Sequence, residues 1–68
     1  MNKALQRAVD VLGSQKALAD AIGTSQSQIW FWLHESKNGL SPEFVIAVEN
    51  ATGVSRHKLR PDIYPRSL

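Results

Sequence analysis

Between residues 26 and 34 lie five side chains that can hydrogen-bond or stack on one predicted helix face. Gln26, Ser27, Trp30, Phe31 and His34 share one face if this stretch is helical. The amide, hydroxyl and imidazole groups can donate or accept hydrogen bonds, and the two aromatic rings can stack or make apolar contacts. Such a set is typical of a recognition surface rather than of a catalytic centre.

The segments on either side of Gly23 must position that face. Residues 15–22 carry closely spaced apolar side chains and stop at Gly23. Ser25 fits an N-cap, and Gln28 three residues later completes a capping box, so a second helix is predicted to begin at Gln26. The inward face of this second helix is expected to hold three apolar residues: Ile29, Trp32 and Leu33.

The spacing of four structural residues favours a helix-turn-helix. Ala19, four residues before Gly23, is expected where the two helices approach most closely. Gly23 is expected to adopt a positive φ, which glycine does at little cost. Ile29 and Trp32 follow at offsets that point back onto the first helix, and the short turn holds the second helix outward. An ordinary αα-hairpin in a small bundle is the alternative, but it does not predict clustered polar residues on the outward face.

The remaining helices are predicted to form a scaffold around this pair. The pattern predicts an all-α fold of four to five helices in a single domain covering residues 1–68. A fourth helix should begin with Ser41 as its N-cap and Pro42 at its first position. The expected helices span about 3–12, 15–22, 26–35, 42–52 and 56–60, followed by an extended, proline-bounded tail over 61–68.

Composition restricts the function classes. The chain has 68 residues, a net charge of +2, no cysteine and two histidines, so disulfides and thiolate metal sites are excluded and zinc ligation is not expected. No glycine-rich phosphate loop or paired carboxylates are seen, and neither an enzyme nor a cofactor site is expected. No signal peptide or membrane-spanning run is visible, so a cytoplasmic protein is expected.

The order of the helices and the motif at 15–34 resemble the DNA-binding domains of lambdoid Cro and repressor proteins. The run Ala51-Thr52-Gly53-Val54-Ser55-Arg56-His57-Lys58-Leu59-Arg60-Pro61-Asp62-Ile63-Tyr64-Pro65 resembles the YdaS-type branch of Cro-like proteins. The likeness covers roughly residues 4–65. It implies a homodimeric, sequence-specific DNA-binding repressor from a prophage, or alternatively an antitoxin-like protein whose main role is to bind a toxin or phage protein.

The resemblance also implies which residues meet double-stranded DNA. Gln26 would pair with adenine in the major groove, braced by Gln15, which would also touch phosphate. Lys16 and Lys37 would neutralise phosphates on either side. The complete set of implied contacts is Gln15, Lys16, Ser25, Gln26, Ser27, Trp30, Phe31, His34, Lys37 and Asn38.

Trp30 and Phe31 depart from the family pattern, in which small or polar residues are common at one or both positions. Three interpretations stay open for these rings. They could contact thymine methyls and sugars, they could form part of a protein contact, or one of them could fold back over the loop at Lys37.

The C-terminal region is predicted to hold a homodimer together. Leu59, Ile63 and Tyr64 are the expected anchors, because the fifth helix is too short to bury much surface by itself. A two-fold interface needs only a small patch that meets its own copy. The alternative is that Ile63 and Tyr64 dock on their own domain.

Overall fold

The computed structural model describes residues 3–37 and 39–65, and over these residues it is all-helical. This confirms the predicted fold class. The fifth helix has only four residues, and a 3₁₀ turn at Pro42–Phe44 leads into the fourth. The helices are α1 Lys3–Leu12, α2 Gln15–Ile22, α3 Gln26–His34, α4 Val45–Thr52 and α5 Arg56–Leu59.

The core lies between α2 and the helices around it. Helix α2 contacts α1, α3 and α4, and its Leu18 and Ala19 are buried. From α3, Ile29, Trp32 and Leu33 turn inward as predicted. The buried apolar residues are Leu5, Ala8, Val9, Leu18, Ala19, Ile29, Trp32, Leu33, Leu40, Val45, Val48, Val54 and Leu59. Because α2 packs behind it, α3 keeps its other face in solvent.

The turn between α2 and α3 has the backbone that the sequence indicates. Gly23 has φ 80° and ψ 35°, the left-handed conformation. Its N–H and that of Thr24 both donate to the Ala19 carbonyl at 2.9 Å, which ends α2 tightly. Three residues therefore suffice to pass from one helix to the next.

Replacing Gly23 with valine is expected to lower the free energy of unfolding by more than about 1 kcal/mol. A Cβ at this position would meet no atom within 4 Å, so the loss would come from the positive φ rather than from a clash. Gly23→Asn is the matched control, since asparagine tolerates this conformation better, and it should lose less. Thermal melting compares the two. A valine variant that melts like the wild type would contradict the left-handed conformation assigned to Gly23.

Three predicted helix boundaries need correction. The helix predicted over 42–52 begins as a 3₁₀ turn, in which the Phe44 N–H donates to the Ser41 carbonyl at 3.0 Å. Ser41 is the N-cap residue of this turn, although its side chain makes no capping bond, and the α-helix itself begins at Val45. Helices α3 and α5 each end one residue earlier than predicted, as frayed ends commonly do.

The predicted extended tail also needs correction, because residues 61–64 form a turn. The Ile63 and Tyr64 N–H groups donate to the Arg60 carbonyl at 3.2 and 2.9 Å. Pro61 fixes the φ angle that the first turn position requires, and Asp62 is held by Arg60. The prolines thus favour a turn here. Residues 66–68 lie outside the described part of the chain.

Candidate nucleic-acid interface

The start of α3 is fixed by its N-cap. The Ser25 hydroxyl accepts a hydrogen bond from the Gln28 N–H at 3.2 Å, which confirms the predicted N-cap, but the Gln28 side chain does not return the second bond of a capping box. Ser25 itself has an extended backbone, with φ −102° and ψ 155°. Gln26 and Ser27 follow at once as the first two helical residues, and both are exposed. The cap therefore determines where these two side chains project.

An open cleft of about 290 Å³ lies where the first turns of α2 and α3 meet. It is lined by Gln15, Gln26, Ser27 and Trp30, and we call it the α2–α3 cleft. Gln15 is the first residue of α2. The start of α2 is capped by Ser14, whose hydroxyl accepts a hydrogen bond from the Ala17 N–H at 3.0 Å. Two helix N-termini, each with partial positive charge, thus meet at one surface that also carries two amides and a hydroxyl.

Lys16 lies beside this cleft and remains available to a ligand. Its ammonium is 3.7 Å from the Asp20 carboxylate, and both side chains are largely exposed. An exposed pair of this kind contributes little to stability, so Lys16 can exchange Asp20 for another anion at small cost.

Both unusual aromatic residues stay at the surface. Trp30 and Phe31 each keep 48% of their surface exposed. The Trp30 ring lies 4.8 Å from the His34 ring, one turn along α3, whereas the neighbouring Trp32 is buried against Phe44. Trp30 therefore adds an aromatic surface to the cleft, and Phe31 is a second exposed ring on α3 that a ligand could contact.

Lys37 is not part of the α2–α3 cleft. It is exposed beyond the end of α3, in a separate depression formed with α1 and α5. Asn38, the other loop residue predicted to touch DNA, lies outside the described residues. The sequence-predicted contacts therefore divide between the two ends of α3, with the cleft at its start and Lys37 beyond its end.

The C-terminal anchors are mostly engaged with their own chain. Leu59 is 1% exposed and belongs to the core, so it has no side-chain surface to offer to a second copy. Tyr64 is half-buried, with the Arg56 guanidinium 5.7 Å from its ring centre and its carbonyl 2.8 Å from Nδ1 of His57. Ile63 remains 42% exposed. Of the three residues, Ile63 alone presents a large exposed apolar side chain.

Two arginines of the C-terminal region hold the fold together. The Arg60 guanidinium is buried and donates to the Leu40 carbonyl at 2.6 Å and to both carboxylate oxygens of Asp62 at 2.9 and 2.7 Å. Arg56 binds Glu49 through its side chain at 2.8 and 3.0 Å. Hydrogen bonds from Arg56 lower the pKa of the Glu49 carboxyl, and those from Arg60 lower the pKa of Asp62.

No structural role was predicted for His57 or Arg60, although the sequence next to Arg60 carries a signal for one. Arg60 precedes Pro61 and Asp62, so a turn places the carboxylate within reach of the guanidinium. The contact with Leu40 had no such signal, because it joins residues twenty positions apart.

Neither a membrane span nor a metal site emerges from residues 3–37 and 39–65. No helix there is long and apolar enough to cross a bilayer. These residues also contain no cluster of three histidine, cysteine or acidic side chains that could hold a metal ion.

Comparison with known proteins gives one family. No significant match was found among curated proteins or solved structures. A family model described as bacterial toxin YdaS matches residues 5–68, nearly the whole chain. This agrees with the resemblance carried by the run 51–65, and the chain therefore belongs to the YdaS family.

Proposed function

We propose that this protein is a sequence-specific DNA-binding regulator that acts by binding rather than by catalysis. In this proposal α2 and α3 form a helix-turn-helix, and α3 enters the major groove with its first residues nearest the bases. The observation that supports it best is the α2–α3 cleft, where Gln15, Gln26 and Ser27 meet at two helix N-termini. The amide of Gln26 offers the donor and the acceptor that the adenine edge requires.

The family description as a toxin is compatible with this mechanism. A small protein that occupies promoters would stop transcription of the genes that follow, without any catalytic chemistry. A prophage repressor binding an operator near its own gene is the specific form that we propose. A second candidate function is that of an antitoxin, which binds a partner protein. It is favoured by a group of cations without ion-pair partners that lie away from the α2–α3 cleft.

An electrophoretic mobility shift with the DNA upstream of the gene tests the proposal. The expected result is a complex that survives an excess of shuffled DNA of the same composition. Equal affinity for the upstream and the shuffled DNA would overturn sequence-specific regulation.

We further propose that the regulator binds as a homodimer. One chain offers one reading head, and two half-sites one helical turn apart, about 34–36 Å, require two heads. Ile63 is the remaining exposed anchor in the predicted patch. Sedimentation of the intact protein over a range of concentrations should show a monomer–dimer equilibrium, and a monomer at every concentration would count against it.

Replacing Lys37 with alanine should weaken binding to all DNA sequences alike and reduce the slope of log affinity against log salt by about 1. The reason is that a phosphate contact releases a counterion but reads no base. Gln6→Ala changes an exposed side chain of α1 outside the depression that Lys37 lines and is the control, with an unchanged slope expected. If Lys37→Ala leaves the slope unchanged, Lys37 makes no phosphate contact.

A further inference from the structure

A second depression, distinct from the α2–α3 cleft, lies between α1, the loop after α3, and α5. Its open volume is about 830 Å³, and it shares no lining residue with the cleft. Four cationic side chains surround it: Lys3, Arg7, Lys37 and Lys58. We call this depression the basic groove.

The described lysines and arginines differ in whether they have a carboxylate partner. Lys16, Arg56 and Arg60 each have a carboxylate partner, at 3.7, 2.8 and 2.7 Å respectively. Within residues 3–37 and 39–65, the remaining cations form no ion pair, and all of them line the basic groove. Apart from Lys16, whose exposed pair with Asp20 is weak, the cations without a carboxylate partner in the described chain are thus gathered around one depression.

The acidic residue in the groove does not balance this charge. Asp62 lines the groove, but both of its carboxylate oxygens accept hydrogen bonds from Arg60. Four like charges around one concave surface raise the local potential and attract an anionic ligand.

The interior of the groove adds an apolar component. Ala4 and Pro61 line it and keep accessible surface, whereas Leu59 beneath them is 1% exposed. A DNA duplex presents its phosphates on a convex surface and would leave this apolar lining unfilled, whereas an extended peptide can place apolar side chains there. We propose that the basic groove binds an acidic, extended segment of a partner protein, with carboxylates facing the four cations and apolar side chains resting on Ala4 and Pro61.

This proposal does not depend on DNA recognition by α3. The two surfaces have Lys37 in common as a proposed contact and no other residue. Peptide binding and operator binding can therefore be measured, and can fail, independently.

Fluorescence anisotropy with a labelled peptide that alternates glutamate and leucine tests the proposal. Arg7→Gln and Lys58→Gln should each weaken binding about two- to fivefold, and the double variant about five- to twentyfold. Lys16→Gln is the matched control, because it removes the same charge from an exposed helical position outside the groove, and it should bind the peptide like the wild type. Circular dichroism establishes that each variant is folded.

Two control peptides separate charge from apolar contact. Replacing glutamate with glutamine should abolish binding, and replacing leucine with serine should weaken it. The proposal is overturned if the wild type does not bind the acidic peptide, or if Lys16→Gln weakens binding as much as Lys58→Gln does. It is also overturned if Arg7→Gln and Lys58→Gln leave peptide binding intact but weaken DNA binding, since the groove would then belong to the DNA interface.

Discussion

Replacing Arg60 with alanine is expected to lower the free energy of unfolding by about 2–3 kcal/mol. The guanidinium is 7% exposed and donates at 2.6 Å to the carbonyl of Leu40, a fully buried residue. Without it, this carbonyl loses its charged donor, and a buried acceptor without a partner is costly. In a domain of this size the loss corresponds to a melting temperature lower by about 10–20 °C.

The contribution of Leu40 can be separated from that of Asp62. Asp62→Asn weakens the ion pair but leaves the bond from Arg60 to the Leu40 carbonyl, so it should cost less than Arg60→Ala. Because Arg60 lowers the folded-state pKa of Asp62, the pair stabilises the fold at neutral pH and this stabilisation is lost as the pH falls through the lowered pKa. Arg60→Ala should therefore show a weaker dependence of stability on acid. If Arg60→Ala and the wild type melt at the same temperature, the Arg60 side chain does not stabilise the fold.

Replacing Gln26 with alanine is expected to lower the affinity for the operator by about 1–3 kcal/mol while leaving binding to random DNA nearly unchanged. Gln26 is exposed in the α2–α3 cleft, and its truncation removes both the donor and the acceptor that would pair with adenine. Gln6→Ala, an exposed glutamine on α1, is the matched control and should bind like the wild type. An equal loss on operator and random DNA would show that Gln26 does not read bases.

A double-mutant cycle tests whether Gln15 and Gln26 act together. Both side chains line the same cleft, so if Gln15 orients Gln26 their effects on operator affinity should not add. Strict additivity would mean that the two glutamines contact DNA independently.

The motif half of the chain was predictable because its signals are local. Ser25 determines the start of α3 through a bond to Gln28, three residues away, and Gly23 ends α2 through its own φ angle. The inward side of α3 followed from helical periodicity, and Trp32 is buried as expected. Each of these features depends on residues within one or two turns, which the sequence displays directly.

The C-terminal half was less predictable because distant contacts shape it. Arg60 reaches back twenty positions to the Leu40 carbonyl, a contact that no local pattern indicates. Leu59 was expected to meet a second copy, yet it fills the core of its own chain. The basic groove likewise combines α1, the loop after α3, and α5, segments whose proximity no spacing pattern reveals.

The most direct test of the central proposal is an NMR titration of the protein with its upstream DNA. If α3 enters the major groove, the amide signals of residues 15, 16 and 26–31 should shift most, because these residues form or adjoin the α2–α3 cleft. The signals of Gln6 and Asp10 on α1 serve as internal controls and should stay in place. Shifts confined to α1 and α5, with the start of α3 unchanged, would contradict the proposal that this helix reads DNA.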